Sequence, residues 1–284
     1  MSKLFFILLI LSSLKGFSQQ IPKVECNTLF VCIDSISYDL LFKNSFVKDT
    51  LFVCKELSTK TSDDNYTGKY AIGQSATLEF FKPSAEDKLG NHFGDWGLEF
   101  KTTQLGQLDY FIQKANQQKL AFDTTTTFLK EDTVLPWYKT FQLKSAFKTH
   151  QLSVIEYQDS YLQLVGFTKE EIAAPITYQQ FNEKVSGGKK YPRQFNQIKA
   201  VTITVNKKES NLNNTFTKLT LSKPINNSFT LVQNISTKEI SFSLQQIEIE
   251  LMTEQLPRTI AISKNITIKV LGKKAFIIFN YNPK

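Results

Sequence analysis

Histidine, arginine and cysteine are scarce in this chain of 284 residues, and each shortage removes a class of chemistry. With Arg193 and Arg258 as the sole arginines, the guanidinium forks that read base edges are missing, so nucleic acid is not an expected partner. His92 and His150 are the two histidines available to any mechanism that uses an imidazole base. No Gly-x-Ser-x-Gly elbow accompanies them, which disfavours serine hydrolase chemistry. Gly187-Gly188-Lys189 lacks the upstream glycine and the following Ser or Thr of a phosphate loop, and no dinucleotide fingerprint occurs. Cys26, Cys32 and Cys54 form no Cys-x-x-Cys pair, against both a thioredoxin-like centre and a ribbon-type zinc site. Three cysteines cannot all pair, and Cys32 and Cys54 lie in apolar runs, so small buried thiols are expected. Finally, no apolar stretch approaches the ~20 residues that span a bilayer, so no integral membrane segment is expected.

What remains is ample for a core. The chain is 41% hydrophobic, 21% charged and 13% aromatic, with 24 phenylalanines, which suits a sheet-rich globular protein. The first residues read as an export signal: Lys3, an apolar run over residues 4–11, then Gly16-Phe17-Ser18 with small residues where a signal peptidase inspects. Cleavage after Ser18 would place the mature chain in the periplasm or outside the cell, beginning at Gln19. Cys26 makes a poor lipid anchor because Lys23-Val24-Glu25 precedes it. The formal charge of +8 reads as a solvated, lysine-rich surface.

Periodicity then gives an order of elements. A strand over residues 28–33 leads through Asp34 or Ser35 as cap into a helix expected over residues 36–48. Strands follow at residues 51–57, 66–72 and 76–81, the last two joined at Gly73-Gln74. The order recurs: a strand at 96–101, a helical face of Leu105, Leu108, Ile112 and Ala115, then strands at 121–129, 139–143 and 152–157. Residues 161–197 read as a helical bridge ending in the flexible 186–190 stretch. Residues 198–284 read as a strand-rich C-terminal module, with six short strands beyond a helix carrying Leu212, Phe216 and Leu219. The expected organisation is thus a leader over residues 1–18, paired modules over 19–160, the bridge, and the C-terminal module.

Paired βαβββ units resemble the glyoxalase-like, or vicinal oxygen chelate, superfamily, in which two modules curl mixed sheets around a cleft. The stretch Asp64-Asn65-Tyr66-Thr67-Gly68-Lys69-Tyr70, followed by Leu78-Glu79-Phe80-Phe81, is similar to a bacterial glyoxalase-like group with no assigned activity. Trp137-Tyr138 and Ile155-Glu156-Tyr157 resemble its later motifs. The resemblance implies an α+β fold of repeated βαβββ modules and a small-molecule ligand. Metal-using members draw ligands from the first and fourth strands of each module. Glu79 and Glu156 fall on the two fourth strands, but the first strands offer no histidine and only Glu99.

The expected ligand-binding set is therefore Glu79 and Glu156 with Tyr70, Phe81, Trp96, Trp137 and Tyr157, whose rings suit an apolar or sugar-like ligand. No cofactor is assigned. The enzyme alternative is a lyase, isomerase or dioxygenase with a divalent metal on Glu79, Glu99 and Glu156, and with His92 or His150 moving protons. A third alternative is an envelope protein partner meeting the C-terminal strand edges.

Overall fold

Alternation of apolar and polar residues over residues 24–32 forces a half-buried strand, β1 (Val24–Cys32), with Leu29 and Val31 on its core side. The computed structural model describes residues 21–62, 64–130, 134–144, 149–188, 193–221, 229–238, 240 and 242–281. The leader expected over residues 1–18 lies outside the described residues. Asp34 caps α1 (Ser35–Leu40) by accepting from the Ser37 amide at 2.9 Å. The expected helix over residues 36–48 is broken in the structure. Asn44 accepts from the Val47 amide and restarts the chain as a π-helical turn over Val47–Leu51. Then come β2 (Val53–Lys60), β3 (Asn65–Ile72) and β4 (Thr77–Phe81), antiparallel neighbours in that order.

The second unit repeats the first: β5 (Trp96–Thr102), α2 (Leu108–Gln117), β6 (Phe122–Lys130), β7 (Val134–Leu143) and β8 (His150–Tyr157). In each unit the first strand pairs parallel with the fourth, β1 with β4 and β5 with β8. The units join through antiparallel β1 and β5, giving one curled mixed sheet in the order β2-β3-β4-β1-β5-β8-β7-β6. The fold is α+β with paired βαβββ modules.

The bridge forms three short helices, α3 (Asp159–Leu164), α4 (Lys169–Ala173) and α5 (Tyr178–Val185). Thr168 and Thr177 start the last two with reciprocal capping boxes. Their apolar sides pack on Ile155 and Tyr157, so these helices cover one end of the sheet's concave face.

The C-terminal part contains β9 (Phe195–Val205), α6 (Lys207–Thr220), β10 (Thr230–Ile235), β11 (Leu244–Ala261) and β12 (Ile266–Phe279) in a second sheet ordered β10-β9-β11-β12. It has a different topology from the first two units, because β9 pairs parallel with the strand directly after its helix. The short strands expected near its end merge into the long β11–β12 hairpin, whose pairing runs through register shifts between Glu250 and Arg258. This sheet packs on the helix-bearing face of the first, where Trp96 Nε1 donates to Ser243 Oγ at 2.6 Å and Phe100 meets Phe216 and Phe229. One hydrophobic cluster runs from Leu29 through Phe100 to Ile247 and Phe279 and so joins both sheets.

Candidate functional site

The concave face of the first sheet holds a cleft of about 380 Å³, bordered by the loop of residues 88–91. Phe30 from β1 and Phe81 from β4 line it, with their ring centroids 6.4 Å apart. Each ring lies across a glycine on the neighbouring strand. Phe30 is in register with Gly97 and Phe81 lies over Gly68, and a Cβ on either glycine would stand 2.2 Å or 2.5 Å from the ring. Glycine is required at both places because nothing larger lets an aromatic side chain lie down on the sheet. Tyr66 meets Phe81 edge-on at 5.6 Å, and Tyr138 and Thr140 of β7 form the opposite wall.

Besides Asp64, which is paired with Lys88 at 3.5 Å, two carboxyl groups enter this cleft, Glu79 from β4 and Glu99 from β5. They flank β1, with Glu79 in register with Phe30 and Glu99 with Thr28. Among the described residues neither accepts a hydrogen bond nor meets a cation. Burial pushes Glu79 up to about 8, with the charge of Glu99 adding to the effect, and burial alone pushes Glu99 up to about 7. Near neutral pH the pair therefore retains protons that exposed carboxyls would have lost. Burial, and then Glu79, raises the hydroxyl of Tyr66 in the same way.

Glu156 is not in the cleft, a correction to the expected ligand set. It lies on the other face of β8, where it accepts from the backbone amides of Gly106 at 3.0 Å and Leu108 at 2.9 Å. Its carboxylate satisfies the free N–H groups at the start of α2. The reason was present in the two matching strands. Glu79 is the third residue of Thr77–Phe81, whereas Glu156 is the fourth of the stretch from Ser153 to Tyr157, and a strand turns its side chains over with period two.

The other expected residues divide. Tyr70 is in register with Glu79 and shares its face, and Phe81 lines the cleft. Tyr157 is on the concave side but sealed under α5, its ring stacked on Phe181 at 4.4 Å. Trp137 packs against Tyr138 and Tyr161 at the mouth of the bridge helices. Trp96 is fully buried on the opposite face, stacked on His150 at 5.2 Å, and so is removed from the ligand set. His92 and His150 line a neighbouring cavity of about 410 Å³ instead of the one holding Glu79 and Glu99. Asp95 organises the first, accepting from the amides of Gly90 and His92. Cys26, Cys32 and Cys54 are unpaired thiols. Burial raises all three: Cys32 and Cys54 up to about 12, and Cys26 further.

The three-carboxylate metal set is thus not assembled. With Glu156 on the far face, the first and fourth strands present Glu79 and Glu99 beside Phe30 and Ser153, without an imidazole. Among the described residues no group of three or more His, Cys, Asp or Glu comes together. This donor set does not fit a zinc or iron centre.

Sequence reasoning did not pick out Phe30, Tyr138 and Ser153. The alternation of β1 pointed to Phe30, and its partner Gly97 marked the place where a ring could lie. Ser153 carried no such signal, because it became a site residue only when β8 was paired in register with Glu99 of β5. It is fully buried, and its Oγ has no hydrogen-bond partner.

Among solved structures, a xylose isomerase-like TIM barrel/4-hydroxyphenylpyruvate dioxygenase fusion protein is similar at TM-score 0.42 and 9% identity, over 82% of this chain and 36% of that one. The Mn(II)-bound glyoxalase from Novosphingobium aromaticivorans is similar at TM-score 0.34 and 8% identity, over 70% and 52%. A mutant 4-hydroxymandelate synthase from Streptomyces coelicolor gives TM-score 0.33 and 10% identity, over 59% and 57%. The chain spans well under two thirds of each of these proteins. At these scores no activity passes from them to this chain, and the paired-module description rests on the strand order itself. No curated protein matches the sequence. Residues 26–279 match a family of unknown function, DUF5829, and the chain belongs to that family.

Proposed function

We propose that this is an exported protein that binds a small ligand in the cleft of its paired βαβββ modules, by recognition and not by metal-dependent turnover. The observation that carries the reading is the pairing of a sheet-lined cavity with two carboxyl groups that have no protein partner. Burying carboxyl groups costs several kcal/mol unless something compensates. A protein that needed this face only for packing would fill it with apolar side chains or pair its polar ones, as it does under the bridge helices, where Lys101 donates to the Ile176 carbonyl and Glu25 accepts from the Tyr178 amide. Here the aromatic rings of Phe30, Tyr66, Phe81 and Tyr138 supply apolar area, and Glu79 and Glu99 supply orientation. Export rests on the composition of the first 18 residues.

The test uses cavity filling. Thr127 is buried on β6 and lines the cleft, so Thr127→Phe should occupy it. Native mass spectrometry of the protein incubated with fractionated small molecules from its host should show a retained compound with the unmodified chain and none with Thr127→Phe. Equal retention by both would place binding elsewhere and end this reading.

A further inference from the structure

The walls of the cleft define which ligand it suits. Glu79 and Glu99 meet no lysine or arginine among the described residues. Ser153 stands directly across from Glu99 in the parallel β5–β8 ladder, so the two side chains share a face. Gln151, two residues earlier on β8, lines the cleft on that same face. Ser153 is 0% exposed, and its Oγ has no hydrogen-bond partner. Nearby, β1 slips by one residue against β5 between Cys26 and Thr28, and the residue set into that bulge, Asn27, is also fully buried with both amide atoms unpartnered. A fully buried hydroxyl and a fully buried amide without protein partners are rare in a folded protein, and each calls for a water, an ion or a bound group as its partner.

We propose that the cleft receives the primary ammonium group of a small organic amine, with Glu79, Glu99 and Ser153 Oγ as its three acceptors and the rings of Phe30, Tyr66, Phe81 and Tyr138 around its carbon frame. An alkylammonium has three N–H donors and no acceptor, which matches a floor of acceptors. Its positive charge favours the ionised form of the two acids, which release protons as it binds, and the faces of the surrounding rings attract a cation. An anionic ligand would meet Glu79 and Glu99, and the lysine that lines the cleft, Lys88, is already paired with Asp64 at 3.5 Å and Glu86 at 3.0 Å. A neutral alcohol offers the acids no charge to pair with, so they keep their protons and no ion pair forms. The inference rests on the ligand-binding reading of this cleft and adds the chemical class. A free amine and a lysine side chain carry the same head group, and the assay below separates them.

The full mature chain is titrated at pH 7 with benzylammonium, benzyl alcohol and benzoate, which share one ring and differ in head group, using calorimetry and amide chemical-shift mapping. The expected result is that benzylammonium binds about tenfold or more tightly than benzyl alcohol, and that benzoate does not bind. Glu79→Gln and Glu99→Gln each weaken benzylammonium about tenfold or more, and Ser153→Ala weakens it severalfold, without weakening benzyl alcohol. Ser153→Ala also guards against misfolding of the glutamine variants, since it removes an unpartnered hydroxyl from a packed site. An Nα-acetyl-lysine amide that binds as well as benzylammonium assigns the head group to a lysine side chain, and one that fails assigns it to a free amine. If benzyl alcohol binds as tightly as benzylammonium and Thr127→Phe abolishes both, the amine class is wrong while the cleft stands. If none of the three compounds shifts a cleft residue, or if manganese(II) displaces benzylammonium in a manner lost with Glu99→Gln, the inference is overturned.

Discussion

Glu79 and Glu156 sit in similar local sequences yet carry opposite consequences, because one faces a cleft and the other a helix terminus. For Glu79 and Glu99 the folded-state values lie above the ordinary value of 4.5, so the native state holds protons that the unfolded chain gives up as pH rises. Stability should accordingly fall between about pH 4.5 and 8 and then level off, a loss on the order of a few kcal/mol. Glu79→Gln removes the group that must charge. The urea midpoint of this variant should change less between pH 5 and 8.5 than that of the unmodified chain, and at pH 8.5 it should be the higher of the two. Parallel pH profiles would mean that Glu79 is solvated. For Glu156 the expectation has the other sign. Glu156→Ala strands the amides of Gly106 and Leu108 and should cost on the order of 2–3 kcal/mol, with benzylammonium affinity unaltered. The presence of a glutamate on each fourth strand was legible in the sequence. Its facing follows from its place in the strand, since Glu156 is offset by one residue from Glu79 in the matching stretches and a strand turns its side chains over with period two.

At the scale of elements, the cleft exists because two strands carry a glycine opposite a phenylalanine and because the bridge helices stop short of filling the concave face. Gly97→Ala would set a Cβ 2.2 Å from the Phe30 ring, forcing the ring up into the cavity. The expected outcome is a destabilisation on the order of 1–3 kcal/mol together with loss of ligand binding, read from thermal unfolding and from the benzylammonium titration. Helices α3 to α5 are held by their aromatic side, where Phe181 stacks on Tyr157 and Tyr178. They are also held by polar contacts at their ends: the Tyr178 amide donates to Glu25 at 2.7 Å and Tyr178 Oη meets Thr77 Oγ1 at 3.1 Å. Lys101 lies beneath them, its ammonium donating to the Ile176 carbonyl at 3.0 Å, and burial lowers it to about 8. Phe181→Ala should cost on the order of 3–5 kcal/mol and should raise hydrogen exchange of the amides over residues 159–185 more than in the second sheet. Uniform exchange changes would show that the bridge is not a separate unit of packing.

At the scale of the whole molecule, the two sheets are tied by apolar packing and by polar contacts, among them a part-buried knot around Asp34. Asp34, at the turn after β1, accepts from Tyr281 Oη at 2.5 Å and Asn265 Nδ2 at 3.2 Å, both from the far end of the chain, while Ser37 Oγ meets Ser263 Oγ at 2.7 Å. Burial alone would raise the Asp34 carboxyl, but hydrogen bonds from Ser37, Tyr281 and Asn265 outweigh it and hold the group at about 2. That depressed value stabilises the fold above the ordinary carboxylate range, and the contribution is lost as pH falls toward 2. Tyr281→Phe should cost on the order of 1.5–3 kcal/mol at pH 7 and much less at pH 2, by denaturant titration at the two pH values. Because one hydrophobic cluster runs through both sheets, calorimetry should show a single unfolding transition. For the export proposal, amino-terminal sequencing of the protein recovered from its producing cell should begin at Gln19, and a sequence beginning at the first residue would refute it.

The sequence by itself determined the elements. Alternation, helical spacing, caps and turn residues are local and short-ranged, so the strand-helix-three-strand repeat was legible before any contact was known. Only the tertiary structure decided the site. That Trp96 joins the interior between the sheets, that Glu99 meets Ser153, and that residues 159–185 fold back over one end of the concavity all depend on pairing between segments tens of residues apart. Strand register and the packing of one layer on another are collective choices, set by burying the most apolar area at the least polar cost. No local pattern in the chain encodes them.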